Sequence, residues 1–304
     1  MDSTTSDGVD RPASERRRAG AEQLAGELLV VGAGTVGRWL AGVLAAELDS
    51  SVAFADADRA AADAAAEAVG GRAVALDTDE RFAAVCVAVP ISAAAEAVAT
   101  HAPRAEHALY DVTGEMAAPV AAMAEHAPER ERASFHPLFA PENAPGRIAV
   151  VPDAPGPITD AIRAALEAGG NAVFETSVEE HDTAMETVQA RAHAAVLAFA
   201  LAAEDVPRRF DTPVSGPLRE LAAQVANGSS GVYGEIQGAF DGAGEVAAAA
   251  ERIAEASPEA FEELYREAGV AFEQPGPAPS HRPDRESDGG EADRTASGSD
   301  RPSG

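Results

Sequence analysis

"VVGAGTVGRWLAGVL", residues 30–44, carries Gly32, Gly34 and Gly37 in a GxGxxG spacing. Alone the string is weak evidence. Here the apolar run "ELLVVG" (27–32) leads into it and a helix-forming stretch follows, so the glycines fall on a strand–turn–helix junction. Gly32 permits the tight turn, Gly34 lets backbone approach a pyrophosphate, and Gly37 lets the helix pack close to the strand. A helix N-terminus presents free N–H groups and a positive dipole end to phosphates. The loop Gly32, Ala33, Gly34, Thr35, Val36 and Gly37 is therefore expected to hold a dinucleotide. A second run, "SVAFAD" (51–56), ends at Asp56, where an acid binds adenine-ribose hydroxyls and repels a 2′-phosphate. NAD is thus favoured over NADP, with Asp58 as the fallback acid and Arg59 keeping NADP open.

Working outward, short apolar runs alternate with alanine-rich helical stretches. Beyond the first two runs, "AAVCVAVP" (83–90), "HALYDV" (107–112), "RASFHP" (132–137), "RIAVVP" (147–152) and "NAVFET" (171–176) read as strands. Such alternation predicts an α/β fold with a Rossmann-type, doubly wound, mostly parallel sheet. The run at 83–90 ends in Val89 and Pro90, where the loop is expected to pass the nicotinamide side of the cofactor, with Ser92 as N-cap of the next helix. From 177 onward no strand is read. "SVEEHDTAMETVQARAHAAVLAFALAAED" reads as one long helix opened by a capping box, Ser177 with Glu180, and further helices are read near 215–227, 230–256 and 258–268. The expected organisation is a polar N-terminal tail (1–25), a dinucleotide-binding domain (26–176), an all-helical domain (177–272) and an acidic low-complexity tail (273–304). Both tails are too poor in apolar residues to offset ordering entropy and are expected to be disordered.

Composition excludes some functions. The 304 residues hold 51 acids against 23 basic residues, for a net charge of -28, and every basic residue is arginine. Such a surface repels nucleic acid and anionic membranes. The acids are spread along the whole chain and lysine is absent, a pattern typical of extreme halophiles, in which molar salt cuts the Debye length to about 3 Å and screens the self-repulsion. Cys86, the lone cysteine, is expected to pack as a small hydrophobe. No apolar stretch is long enough to span a bilayer and no secretory h-region opens the chain, so a cytoplasmic protein is expected.

The histidines carry the candidate chemistry. His136 lies in "SFHPLFAPEN" (134–143), where the ligand-binding edge of an open sheet is expected; Pro137 is read as stopping the strand and turning the ring into the crevice. There an imidazole can accept a proton from a substrate hydroxyl while hydride leaves the same carbon. His181 falls in "EEHD" (179–182), whose acids suit a solvated helix N-terminus, and His193 sits mid-helix among apolar residues. Twelve residues apart on one helix, these two are not stacked neighbours, and no cysteine cluster joins them, so no metal site is expected. His101, His107 and His126 are read as solvated.

Taken in order, "VVGAGTVGRWLA", "HPLFAPEN", "EEHDTAMETVQARAH" and "GVYGEIQ" make the chain resemble the prephenate dehydrogenase family over roughly residues 27–268. The resemblance implies NAD-dependent oxidative decarboxylation of prephenate to 4-hydroxyphenylpyruvate in tyrosine biosynthesis. It further implies a homodimer built by the helical domain, with the site in the cleft between domains. His136 matches the family's catalytic histidine and His193 a second histidine near substrate and nicotinamide. The chain departs from the pattern twice. Gly114 in "DVTGEM" stands where the family has a serine supporting the catalytic histidine, leaving Thr113 as a substitute hydroxyl. Gln224 stands where the family has a carboxylate-binding arginine, with Arg219 and Arg191 as substitutes. Losing a bidentate cation points toward arogenate as an alternative substrate. Other two-domain dehydrogenases, such as hydroxyacid dehydrogenases, commonly need an active-site lysine that this chain lacks. A non-catalytic dinucleotide-binding protein of the same fold is the remaining alternative.

Overall fold

A computed structural model describes residues 26–48 and 50–272; the tails expected at 1–25 and 273–304 lie outside them. The first strand, β1 (Leu28–Val31), is buried at all four residues. This is what a strand covered on both faces requires, and it explains the unbroken apolar run. One face packs Leu28 and Val30 with Leu40 and Leu44 of α1 (Thr35–Leu48) and with Ile158, Ile162 and Leu166 of a later helix. The other packs Leu29 and Val31 with Val98, Leu109 and Met123. Each such side chain contributes about 1.5–3 kcal/mol on full burial.

The remaining strands are β2 (Val52–Ala55), β3 (Arg72–Ala73), β4 (Phe82–Val87), β5 (Ala105–Asp111), β6 (Glu131–Pro137), β7 (Arg147–Ala154) and β8 (Ala172–Glu175), in the order β3-β2-β1-β4-β5-β6-β7-β8. All neighbours pair in parallel except β6 with β7, so the mostly parallel, doubly wound sheet is present. The two-residue β3 has no apolar run to mark it in the sequence. Helices α2 (Arg59–Val69), α3 (Ile91–His101), α4 (Ala117–His126) and α5 (Pro157–Ala168) cover the faces. The topology puts the C-terminal ends of β1, β4, β5 and β6 on one edge, where ligands of open α/β sheets bind.

Beyond Glu175 the described residues form only helices and loops. The stretch read as one long helix is interrupted: α6 (Val178–Met185) passes into a π-helical segment (Glu186–Arg191) and then α7 (Ala192–Ala202). Ser177 caps α6 by accepting from Glu180 N–H. Next come α8 (Ser215–Ala226), α9 (Ser230–Ala239), α10 (Ala243–Glu255) and α11 (Pro258–Phe272). The helix read over 230–256 is two, because "FDG" (240–242) makes a turn. By compactness the chain divides into one unit ending at Ala250 and another from Glu251, the latter braced internally by an Arg252–Glu267 ion pair of 2.7 Å.

Three local readings are corrected. Strand β6 does not stop before Pro137; it runs through it, pairing His136 with Ala149 and Pro137 with Ile148. Ser92 does not cap α3; the N-cap is Pro90, and Ser92 donates both its N–H and its hydroxyl to Glu235. His101 is buried, not solvated, with Nδ1 3.0 Å from Arg104. Cys86 is buried in the sheet. Among the described residues, no helix is long and apolar enough to cross a membrane.

Candidate active site

The three glycines of the first loop have separable roles. Gly32 has φ +104°, and a Cβ there would stand 2.2 Å from the Ala88 carbonyl oxygen. A Cβ on Gly37 would stand 2.2 Å from Gly32 O, so close approach of α1 to β1 requires the bare backbone. A Cβ on Gly34 would meet nothing within 4 Å. The protein's own packing does not demand Gly34, which is exposed at the start of α1. Asp56 braces the loop, its Oδ2 accepting from Ala33 N–H at 2.7 Å and its Oδ1 from Asp58 N–H at 2.8 Å. Asp58 caps α2, and Arg59 is engaged with Asp63 and the Ala73 carbonyl.

From this loop the edge continues without a break. A Cβ on Gly32 would lie 3.3 Å from Val89, and one on Gly114 would lie 3.3 Å from Ile91 Cδ1 and 3.6 Å from His136 Nε2. Val89, Pro90 and Gly114 thus fall between the glycine loop and His136. The His136 ring is buried at 6 % exposure. Its Nδ1 lies 2.8 Å from His181 Nε2, and its Nε2 lies 3.4 Å from Gln189 Nε2. His181 Nδ1 lies 2.7 Å from Asp182 Oδ1. The Asp182 carboxylate also accepts the N–H groups of Met116 and Ala117, both at 3.1 Å. Burial, and next the neighbouring His181, push the His136 pKa down to about 3, against a smaller opposite pull from Asp182. The ring is therefore neutral at ordinary pH, as a proton acceptor must be.

The π segment aims the second set of groups. One extra residue in the turn rotates everything after it, and such bulges concentrate at functional sites. Gln189 lies in it; its Oε1 is buried with no hydrogen-bond partner. His193, one turn on, packs edge-to-face on Tyr233 at 4.7 Å, and its Nδ1 is likewise buried and unpartnered. Burial lowers its pKa. "GVYGEIQ" holds the segment: Tyr233 contacts His193, Glu235 takes Ser92, and Gln237 donates to the Ala190 carbonyl at 2.8 Å.

Other residues read from the sequence fall elsewhere in this chain. The Thr113 hydroxyl contacts Asp111 Oδ2 at 2.5 Å and the Glu115 carbonyl at 2.9 Å, so it does not stand in for a serine on His136. Arg191 bonds Thr187 and Glu186, and Arg219 bonds the Val206 carbonyl and pairs with Asp211. Gln224 is exposed on α8. No hydrogen bond or ion pair links any of the three to His136. Sequence reasoning used His181, Asp182 and Gln189 only as part of the string that carries the resemblance and gave them no role beside His136; the adjacent "HD" is a signal for the first two, since an acid beside a histidine can fix its tautomer.

The fold and this edge define a Rossmann-type dehydrogenase architecture. No family model matches the chain. It is 34% identical over 241 residues to a 4-amino-4-deoxyprephenate dehydrogenase of Streptomyces pristinaespiralis, covering 71% of this chain and 78% of that protein. Among solved structures it resembles a prephenate dehydrogenase from A. aeolicus in complex with hydroxyphenyl propionate and NAD+ (TM-score 0.61, 14% identity, 81% of this chain and 96% of that one). An arogenate dehydrogenase from Synechocystis superposes with a TM-score of 0.53 at 16% identity, over 81% of this chain and 98% of that one. The chain belongs to the prephenate and arogenate dehydrogenase family.

Two outcomes are expected. Gly37→Ala destabilises the fold by about 1–3 kcal/mol, the usual cost of overpacking. Gly34→Ala leaves denaturation within about 0.5 kcal/mol of the parent but weakens calorimetric dinucleotide binding at least about tenfold, or about 1.4 kcal/mol; unchanged binding would place the phosphates elsewhere. Stability against pH gives a second test. Burial, opposed by Thr113, raises the Asp111 pKa from 3.8 to about 7. Between those values the unfolded chain releases the proton that the folded chain keeps, so stability falls as pH rises through that window. His136 acts with the opposite sign, costing stability as pH falls from 6.5 toward about 3. Asp111→Asn has no proton to lose there. Its thermal midpoint gains on wild type from about pH 4 upward and levels above about pH 7, an advantage of at most about 4 kcal/mol. A difference independent of pH would show the carboxylate ionising normally.

Proposed function

We propose that the protein is an NAD-dependent prephenate dehydrogenase with His136 acting on the ring hydroxyl. The observation that carries this reading is a neutral, buried imidazole on the same sheet edge as a glycine loop whose Gly34 faces open space. The loop residues Gly32–Gly37, with Asp56 for the ribose hydroxyls and Val89 and Pro90 alongside, would hold the dinucleotide. When bound, its nicotinamide supplies the acceptor for the hydride leaving the ring carbinol carbon. His136 Nε2 takes the hydroxyl proton as that bond breaks. Loss of CO2 then returns an electron pair to the ring, and the same proton goes back to the ring oxygen. His193 and Gln189 offer unpartnered polar atoms for the substrate's remaining groups.

The test is turnover by purified protein in concentrated KCl, with prephenate or arogenate and with NAD or NADP. NADH formation from prephenate is expected, NADP being poorer, with a loss of about 10²-fold or more in His136→Ala. Calorimetric NAD binding without turnover of any family substrate would leave a non-catalytic dinucleotide-binding protein. A second reading, the ring-amine counterpart 4-amino-4-deoxyprephenate, is supported by the 34% identity to an enzyme of that name and by the unfilled acceptor Gln189 Oε1. Turnover of that compound in preference to prephenate would establish it.

A homodimer through the helical region is part of the proposal. Helix α7 reads "AHAAVLAFALA", yet none of its residues is fully buried in the single chain, and Leu201 is 88% exposed. Such a helix calls for a partner surface. Sedimentation is expected to give twice the 31.0 kDa chain mass, falling to one chain in Leu201→Asp; a monomeric wild type would end the idea.

A further inference from the structure

We infer that Asp182 and His181 are positioning residues that fix the tautomer of His136, leaving its Nε2, which faces the Gln189 amide, as the bare nitrogen that accepts the substrate's proton. The inference rests on His136 being the base proposed above. It follows from counting donors and acceptors along one chain of contacts. The Asp182 carboxylate already accepts two backbone N–H groups and can only accept again, so the His181 nitrogen 2.7 Å away, Nδ1, carries a hydrogen. Neutral His181 then has a bare Nε2. That atom lies 2.8 Å from His136 Nδ1, which must therefore donate. Neutral His136 is left with a bare Nε2, facing Gly114 and the amide nitrogen of Gln189. Where the resemblance implies a serine beside the catalytic ring, this chain has Gly114, so orientation comes from the opposite nitrogen.

The proton balance of the proposed reaction bears on what this chain does. Prephenate and NAD give hydroxyphenylpyruvate, CO2 and NADH with no net proton, because the one taken from the ring oxygen returns to it. Nothing has to be conducted outward through His181. Its task is to hold the ring and its hydrogen, and to set the Asp182 charge against the imidazolium while it exists.

The deciding measurement needs no substrate. In histidine-¹⁵N-labelled protein above neutral pH, His136 should show a protonated Nδ1 and a bare Nε2. A protonated Nε2 overturns the inference directly. Two variants extend the test. His181→Gln keeps a carbonyl that can accept from His136 Nδ1–H, and should hold both the tautomer and kcat within about tenfold. His181→Leu offers no acceptor, and should lose the tautomer signature and about 10²–10⁴ in kcat, the usual span for acid–base groups, with KM changed less than threefold. Equal kcat in the Leu and Gln variants overturns it, as does a loss confined to KM. The expected tautomer in a protein that turns over none of the family's substrates would uphold the positioning and refute the functional reading.

Discussion

The Asp182 carboxylate is the constraint on which the site depends. Two of its contacts are backbone N–H groups at the start of α4, where a helix leaves donors unsatisfied and presents its positive end. The third is His181. An acid near the start of one helix thus caps another helix 65 residues earlier in the chain and orients a buried imidazole by the same oxygens. Charge-assisted bonds and the helix dipole offset the cost of desolvating it. Remove it and the loop from Thr113 to Ala117, the ring of His181 and the ring of His136 lose their common reference.

Much of this was legible in the sequence where local chemistry decides local structure. The glycine loop, the acid at the end of β2 and the apolar runs of a sheet covered on both faces follow from period and turn residues, and they are present. Strand β3 escaped because a two-residue edge strand has no period. Polar neighbours make His101 read as solvated and place His181 in a turn that equally suits solvent; burial of a histidine is settled by what packs on it from elsewhere. His136 was found, but for a partly mistaken reason. Its strand continues through Pro137, and its ring is placed by contacts from α6 and not by a strand break.

The π turn was beyond the reach of periodicity. A reading at 3.6 residues per turn puts His181 and His193 on unrelated faces and gives Gln189 no role. The extra residue resets the phase, so that His181 and Gln189 both reach His136. A π turn is intrinsically unfavourable and persists where its surroundings hold it. Here Gln237 takes the Ala190 carbonyl, and Gly242 passes so close to Ala190 and Arg191 that a Cβ would stand 2.7 Å from Ala190 Cβ. That gives "GEIQ" and the following "DG" a physical purpose: they clamp the one irregular turn that carries the polar groups.

The tautomer and the amide then bear on each other. If His136 Nε2 is bare, Gln189 must present its nitrogen to it, because the flipped amide would set acceptor against acceptor. That leaves Gln189 Oε1 as a buried acceptor with nothing to accept, a cost of about 1–3 kcal/mol for as long as it lasts. In the proposed reaction a ring hydroxyl has one hydrogen, and His136 would take it. A ring amine has another to give. Filling that acceptor would be worth roughly five- to 150-fold in relative affinity. On the proposed reading, oxygen chemistry at His136 leaves an opening for nitrogen at Gln189, and the balance between the two candidate substrates would turn on whether a substrate N–H reaches that oxygen.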